Sequence, residues 1–328
     1  MSSLKIEVGA AKRLGEIERL LGRWEGAAEQ AVPTAKAHGA MLVQTAVDTV
    51  VLSGSGCSVE QATLVLRGKP MLTPAAEVLA LENAHAAYQR LSSWDPFAQG
   101  DLLEAHAQLT QGLLGDAGRF RSGPVRATDR RAAKGALPAG RVREAVRLLF
   151  RFVGHESQVP PILAAILFQA ELERIQPFGE GNGRIGRLWL QALLRQASPF
   201  FEHAPIVSVL RERQARHEAA LAACTAVSAN GVAQLAEHAG PFIEHMLEVL
   251  LLALQRLAGQ LRGRAETAED RAAKARQTLG KSWFPRKDYL AIFPRLSTAS
   301  ASRDLAQAVA DGRLKSRGAR ALTEYRFR

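Results

Sequence analysis

Along most of the chain, apolar side chains return every three or four residues, the spacing of a helix with one buried face. Ala, Leu, Arg, Glu and Gln, all good helix formers, fill much of the rest, and aromatic residues make up only 6%. The pattern predicts helices over 4–31 and 35–52, separated by Pro33, with Gly54 to Cys57 breaking the second. Further helices are predicted over 59–66, 74–92 and 99–114. From 116 to 134 the periodicity is lost. Gly118, Gly123 and Pro124 punctuate that segment, which reads as a short hairpin or an ordered loop. Helices resume over 138–153, 160–174, 184–197, 206–226 and 230–258, with Pro160 and Pro161 placed well for a helix start.

Residues 259–280 are polar all round and read as a solvated connecting helix or linker. The character then changes, for Trp283, Phe284, Tyr289, Phe293, Tyr325 and Phe327 cluster in a short segment. There the pattern predicts helices over 285–292 and 298–310 and two short extended pieces turning at Gly318. The expectation is a mainly α chain in four parts: an N-terminal helical region (1–94), a helical core (95–258), the connecting helix (259–280) and a small α+β module (281–328).

Composition narrows the function classes. The chain has 328 residues, 47% hydrophobic and 23% charged, and only two cysteines, Cys57 and Cys224, too few for a disulfide framework and without metal-ligand spacing. No apolar run approaches the twenty or so residues of a membrane span, and the charged start does not read as a signal peptide. The expectation is a cytoplasmic protein without a membrane partner. A net charge of +11 suggests a polyanionic partner such as nucleic acid or a nucleotide.

The strongest chemical signal is RIQPFGEGNGRIGR, Arg174 to Arg187. Pro177 stops the preceding helix, and the loop Gly179 to Gly183 feeds the next. A glycine-rich loop at a helix N-terminus offers free N–H groups and the positive end of the helix dipole to an anion. Gly181 and Gly183 let the backbone approach closely, and Asn182 can donate an N–H to a phosphate oxygen. Arg184 and Arg187, one turn apart, can both reach one polyphosphate. Glu180 is a hard oxygen ligand suited to Mg²⁺ between phosphates. The combination reads as a site for ATP or another nucleotide.

In register, Phe178, Glu180, Gly181, Asn182, Gly183, Arg184 and Arg187 resemble the Fic (Fic/Doc) signature, His-x-Phe-x-(Asp/Glu)-Gly-Asn-Gly-Arg-x-x-Arg. The likeness extends over Asp95 to Val125 and the helices before the motif, roughly residues 35 to 255. It implies a helical Fic fold over 95–258 whose members mostly transfer AMP from ATP to a hydroxyl of a target protein, here a Ser, Thr or Tyr. It further implies that Phe178 anchors the loop, Glu180 holds Mg²⁺, Gly181 to Gly183 form the anion hole, and Arg184 and Arg187 grip distal phosphates. Arg119, Phe120, Arg121 and Val125 fall in the implied β-hairpin flap, which aligns a target segment by strand addition.

One position departs from the signature: Gln176 stands where the family's histidine takes the hydroxyl proton. A glutamine amide cannot accept that proton, and general-base catalysis typically contributes about 10²–10⁴-fold. The implied outcome is nucleotide binding with transfer lost or altered. The alternative is an active adenylyltransferase with a substitute base. His106 reads as packed, His155 as a remote candidate, and Glu171 and Glu173 as solvated or capping. Many family members also carry an inhibitory helix whose glutamate pairs with the second motif arginine. Its best match is Thr49 to Gly54, which puts Ser53 at the glutamate's position and leaves Arg187 free for a terminal phosphate.

From Gln277 to Arg328 eleven Lys/Arg face four Asp/Glu, so this segment carries +7 of the net +11. The helix-turn-helix-plus-wing pattern, with SASRDL at the second helix, resembles winged-helix domains appended to Fic proteins. That resemblance implies duplex DNA at Ser300, Ser302 and Arg303, with phosphates at Arg317 and Arg320 in the wing. The module then makes the chain a DNA-binding regulator with a nucleotide-sensing Fic domain, or serves only packing or a homodimer.

Overall fold

The computed structural model describes residues 7–25, 33–69, 74–126, 137–154, 159–225, 239–262, 268–294, 296–318 and 323–328. The chain divides into two compact units, Met1–Leu261 and Arg262–Arg328. The first is helical: α1 (Val8–Glu25), α2 (Ala35–Val51), α3 (Val59–Leu66), α4 (Ala75–Gln89), α5 (Gln99–Thr110), α6 (Val142–Val153), α7 (Pro161–Ile175), α8 (Asn182–Ala197), α9 (Ile206–Glu212), α10 (Gln214–Thr225) and α11 (Gly240–Arg262).

Local chemistry accounts for several helix ends. Thr34 caps α2 by accepting from the Ala37 N–H at 3.1 Å. Ser58 and Gln61 cap each other's backbone at the start of α3. Pro161 takes the first position of α7, where a missing N–H costs nothing. Helix α7 is apolar nearly all round, and every residue from Ile162 to Ile175 is buried. It pairs with α8, also almost wholly buried, to form the centre of the unit, with α6 packed beside α7 and α5 beside α8. Helix α6 shows the one-faced pattern: Val142, Val146, Leu149, Phe150 and Val153 face inward, while Arg143, Arg147 and Arg151 are exposed. Helix α2 packs on α4 and α9, where the fully buried Asp48 meets Arg211 at 2.6 Å.

The second unit holds α12 (Ala268–Leu279), β1 (Phe284–Pro285), α13 (Arg286–Ile292), α14 (Thr298–Ala310), β2 (Leu314–Arg317) and β3 (Glu324–Phe327). The three strands form an antiparallel sheet in the order β1-β3-β2, with Phe284 opposite Tyr325 and Leu314 opposite Phe327. Its core is Phe284, Tyr289, Phe293, Ala301, Leu305, Leu314 and Phe327 with Ala272 and Ala275.

Three expectations need correction. The helix predicted over 206–226 is two, because Arg213 leaves helical geometry at φ −112° and ψ 25°. Residues 268–279 are not polar all round: Ala272 and Ala275 bury one face, and Arg271 holds Asp304 of α14 at 2.6 Å. Among the described residues, 115–126 form no strand pair. Instead the N–H groups of Arg121 and Arg126 donate to Pro177 O and Gly179 O, at 3.0 and 2.9 Å, so this segment spends its donors on the motif loop. Residues 127–136, the rest of the expected hairpin, lie outside the described residues.

Candidate active site

The site is the turn between α7 and α8. Helix α7 ends when Gln176 enters left-handed geometry, φ 44° and ψ 68°, its N–H still bonded to Leu172 O. Gln176 is the only described non-glycine residue with positive φ. Its side chain is buried, and Oε1 has no hydrogen-bond partner among the described residues. Such a buried acceptor costs free energy unless something fills the gap.

After Pro177, Phe178 plunges into the core, fully buried. Its backbone is clamped by Asn182: the Phe178 N–H donates to Oδ1 at 3.0 Å, and Nδ2 donates to Phe178 O at 2.9 Å. Asn182 therefore spends its side chain shaping the loop. Gly181 precedes α8 at φ 83°, a conformation that favours glycine. The first helical bond is Ile185 N–H to Gly181 O, at 3.0 Å. The N–H groups of Asn182, Gly183 and Arg184 thus precede the helix ladder, as an anion site requires.

Arg184 and Arg187 are both buried. Arg184 Nη2 lies 3.6 Å from Glu180 Oε1, and Glu180 keeps 28% of its side chain exposed. Arg187 Nη2 donates to Thr49 O at 2.9 Å and to Ser53 Oγ at 2.7 Å. Arg187 is therefore engaged by the end of α2, which corrects the expectation that a serine at 53 leaves it free. The same place is shared by Tyr88, whose hydroxyl accepts from Thr49 Oγ1 at 3.0 Å and is pushed up to about 12 by burial.

Two acids expected to be solvated are buried. Glu171 binds Arg174 through Nε at 2.8 Å, and this bond raises the arginine's pKa. Glu173 lies along the first turn of α8: a Cβ added at Gly186 would sit 3.2 Å from its Oε1. The missing side chain at Gly186 makes that room.

The segment 119–126 flanks the loop. Phe120 tilts against Phe178 at 5.6 Å between ring centroids. Arg121 is buried, not offered to a partner. It donates to Gln176 O at 2.6 Å and Ile175 O at 3.2 Å, carbonyls that the end of α7 leaves without a helical partner, and also to Gly123 O at 3.0 Å and Leu137 O. Arg119 and Arg126 are exposed, with Arg126 held by Asp116 at 2.8 Å, and Val125 is half-buried. His155 lies outside the described residues. No cluster of three or more His, Cys, Asp or Glu suited to a metal occurs among the described residues, and Cys57 and Cys224 are both buried.

Residues 96–194, which contain this loop, match the model of the Fic/DOC family. The chain carries a Fic/DOC family domain. Solved structures agree over a longer span. A Fic family protein from Desulfovibrio desulfuricans is 27% identical with a TM-score of 0.70, and the match covers 99% of this chain and 97% of that one. A Fic domain containing signaling protein from Bacteroides thetaiotaomicron shares the fold at 16% identity and a TM-score of 0.63, over 76% of this chain and 99% of that one. Fic-1 from C. elegans does so at 19% identity and 0.58, over 77% and 73%. No curated protein matches the chain significantly. Transfer of AMP or another nucleotide to a target is the general chemistry of Fic domains, and the loop of this Fic domain has the geometry described above.

In the second unit, Ser300 and Ser302 are half-buried and Arg303 exposed on the first half of α14. Arg286 Nη1 donates to Ser302 Oγ at 2.7 Å, and Arg303 Nη2 to Ser300 Oγ at 3.3 Å. Arg317 is not a bare wing cation: Glu324 binds it at 2.7 Å, and it lies over Trp283 at 4.3 Å. Arg320 lies outside the described residues. No described helix is long and apolar enough to cross a membrane.

Proposed function

We propose that the Fic domain binds ATP or a related nucleoside triphosphate and that Gln176 leaves AMP transfer to a protein hydroxyl lost or altered. One observation carries this reading: Gln176, a residue without a basic nitrogen, holds a buried acceptor oxygen without a described partner beside an otherwise complete phosphate loop. The N–H groups opening α8 and the guanidinium groups of Arg184 and Arg187 oppose phosphate charge, which supports binding and charge stabilisation. Glu180, one part-exposed carboxylate in no larger metal-ligand cluster among the described residues, fits Mg²⁺, which takes one or two carboxylates plus phosphate oxygens and spreads the phosphate charge. Neither orientation nor charge stabilisation removes the proton of an attacking alcohol.

The test compares wild type with Gln176→His for transfer of label from ATP labelled at the α-phosphate. The expected result is trace labelling by wild type and a gain of about 10²-fold or more in the variant. Rapid labelling by wild type, lost in Glu180→Ala and Arg187→Ala, would instead establish a transferase with another base.

A second reading concerns residues 281–328, for which we propose a winged-helix module that binds duplex DNA. Its support is the pairing of α13 and α14 with a three-stranded antiparallel sheet, together with the segment's +7 charge.

A further inference from the structure

We propose that His106 is a positioning residue that joins the nucleotide loop to the segment 119–126 through one imidazole ring. On α5, the ring lies flat against Phe178, centroids 3.6 Å apart and planes 4° from parallel. Both nitrogens are used. Nδ1 accepts from the Gly118 N–H at 3.0 Å, and a backbone N–H can only donate. The ring proton therefore sits on Nε2, which donates to Glu180 O at 2.9 Å. The ring is held neutral: burial is the main cause of a pKa lowered to about 4, with Arg184 lowering it further and Asp116 and the Glu180 bond acting the other way. With neither nitrogen open, His106 is not a substitute base.

The Glu180 bond sets the loop's polarity. A trans peptide directs its C=O and N–H to opposite sides. Drawing the Glu180 carbonyl toward α5 therefore turns the Gly181 N–H the other way, away from the ring. The fit is close: a Cβ added at Gly181 would lie 3.2 Å from both His106 Nε2 and Thr110 Cγ2. Thr110 Oγ1 donates to His106 O at 2.7 Å and so fixes its own position within the helix. The Gly118 bond sets the other half. Gly118 has φ 72°, and a Cβ there would meet Ala107 Cβ at 2.9 Å. It is pressed onto α5 immediately before the segment whose Arg121 and Arg126 N–H groups bond the motif loop. Moving the ring disturbs both sides of the site at once.

The binding arm of the test rests on the nucleotide reading above, and the other two arms do not. His106→Gln keeps a donor near the Nε2 position, and His106→Asn keeps an acceptor near Nδ1, so the two variants divide the bridge. His106→Gln is expected to hold ATP·Mg²⁺ affinity near wild type while the Gly118 amide exchanges faster with solvent. His106→Asn is expected to protect the Gly118 amide but bind ATP·Mg²⁺ about three- to tenfold more weakly. A merely structural histidine would change affinity in both variants in step with stability, and that result would overturn the proposal. The ¹⁵N spectrum of wild-type protein should show the Nε2–H tautomer, and an Nδ1–H ring would equally overturn it. If wild type bound no ATP, the nucleotide reading would fall, and the tautomer and the Gly118 exchange would decide the bridge.

Discussion

The Arg187 guanidinium and the Ser53 hydroxyl meet at 2.7 Å, 134 residues apart in sequence. Ser53 Oγ also donates to Thr49 O at 2.9 Å, and Arg187 donates to that same carbonyl. The negative end of the α2 dipole thus faces a motif arginine. At this contact Ser53 offers the guanidinium a hydroxyl and Thr49 a carbonyl, neither of which carries a charge.

A carboxylate at this position should change the balance. A charge-assisted bond contributes about 1.5–3 kcal/mol, which corresponds to roughly 10–100-fold in affinity. Ser53→Glu is therefore expected to weaken ATP·Mg²⁺ binding by about that factor in a calorimetric titration. Ser53→Ala should stay within about threefold of wild type. Equal affinity in all three proteins would mean that Arg187 does not contact the nucleotide.

The loop was legible in sequence because its constraints are local. Pro177 and the glycines at 179, 181 and 183 punctuate the chain whatever surrounds them. Position 53 was legible only through the family resemblance, since nothing local pairs it with Arg187. What stayed hidden depends on tertiary packing. Arg121 looks like a surface arginine in a loop until the carbonyls ending α7 surround it. Glu173 looks solvated because its room comes from the missing side chain at Gly186, on the following helix. Ala272 and Ala275 carry too weak an apolar signal to mark α12 as packed. His106 is an ordinary buried position on α5 until Gly118 and Glu180 bond its two nitrogens.

Burial has a consequence for acid stability. His106 and His245 are each lowered to about 4, chiefly by desolvation. The unfolded chain takes up protons on these rings near pH 6.5, whereas the folded chain resists until about pH 4. Their contribution is thus complete above the unfolded value and is lost as pH falls toward 4. For His106 the loss is roughly 3 kcal/mol. The lowered carboxylates Glu60, Glu144 and Glu212 start from 4.5 and act below this window. Denaturant midpoints should fall between pH 7 and about 4.5. His106→Gln should be less stable at neutral pH but show a shallower fall, and an unchanged slope would contradict the assignment.

If residues 281–328 bind DNA, salt should reveal which cations face phosphate. Each neutralised phosphate adds about 0.9 to the slope of log affinity against log salt. Arg303 is exposed on α14, and its only described partner is a serine hydroxyl at 3.3 Å, so it can turn to a phosphate at little cost. Arg317 must first leave the Glu324 carboxylate and the face of Trp283. Arg303→Ala is therefore expected to lower the slope by about one and weaken duplex binding across sequences. Arg317→Ala should do less, because Glu324 already neutralises that charge. Glu324→Gln should tighten binding and steepen the slope by releasing Arg317. Fluorescence anisotropy with a short duplex between 50 and 200 mM salt measures all three. A slope indifferent to every one of these changes would place the DNA surface elsewhere.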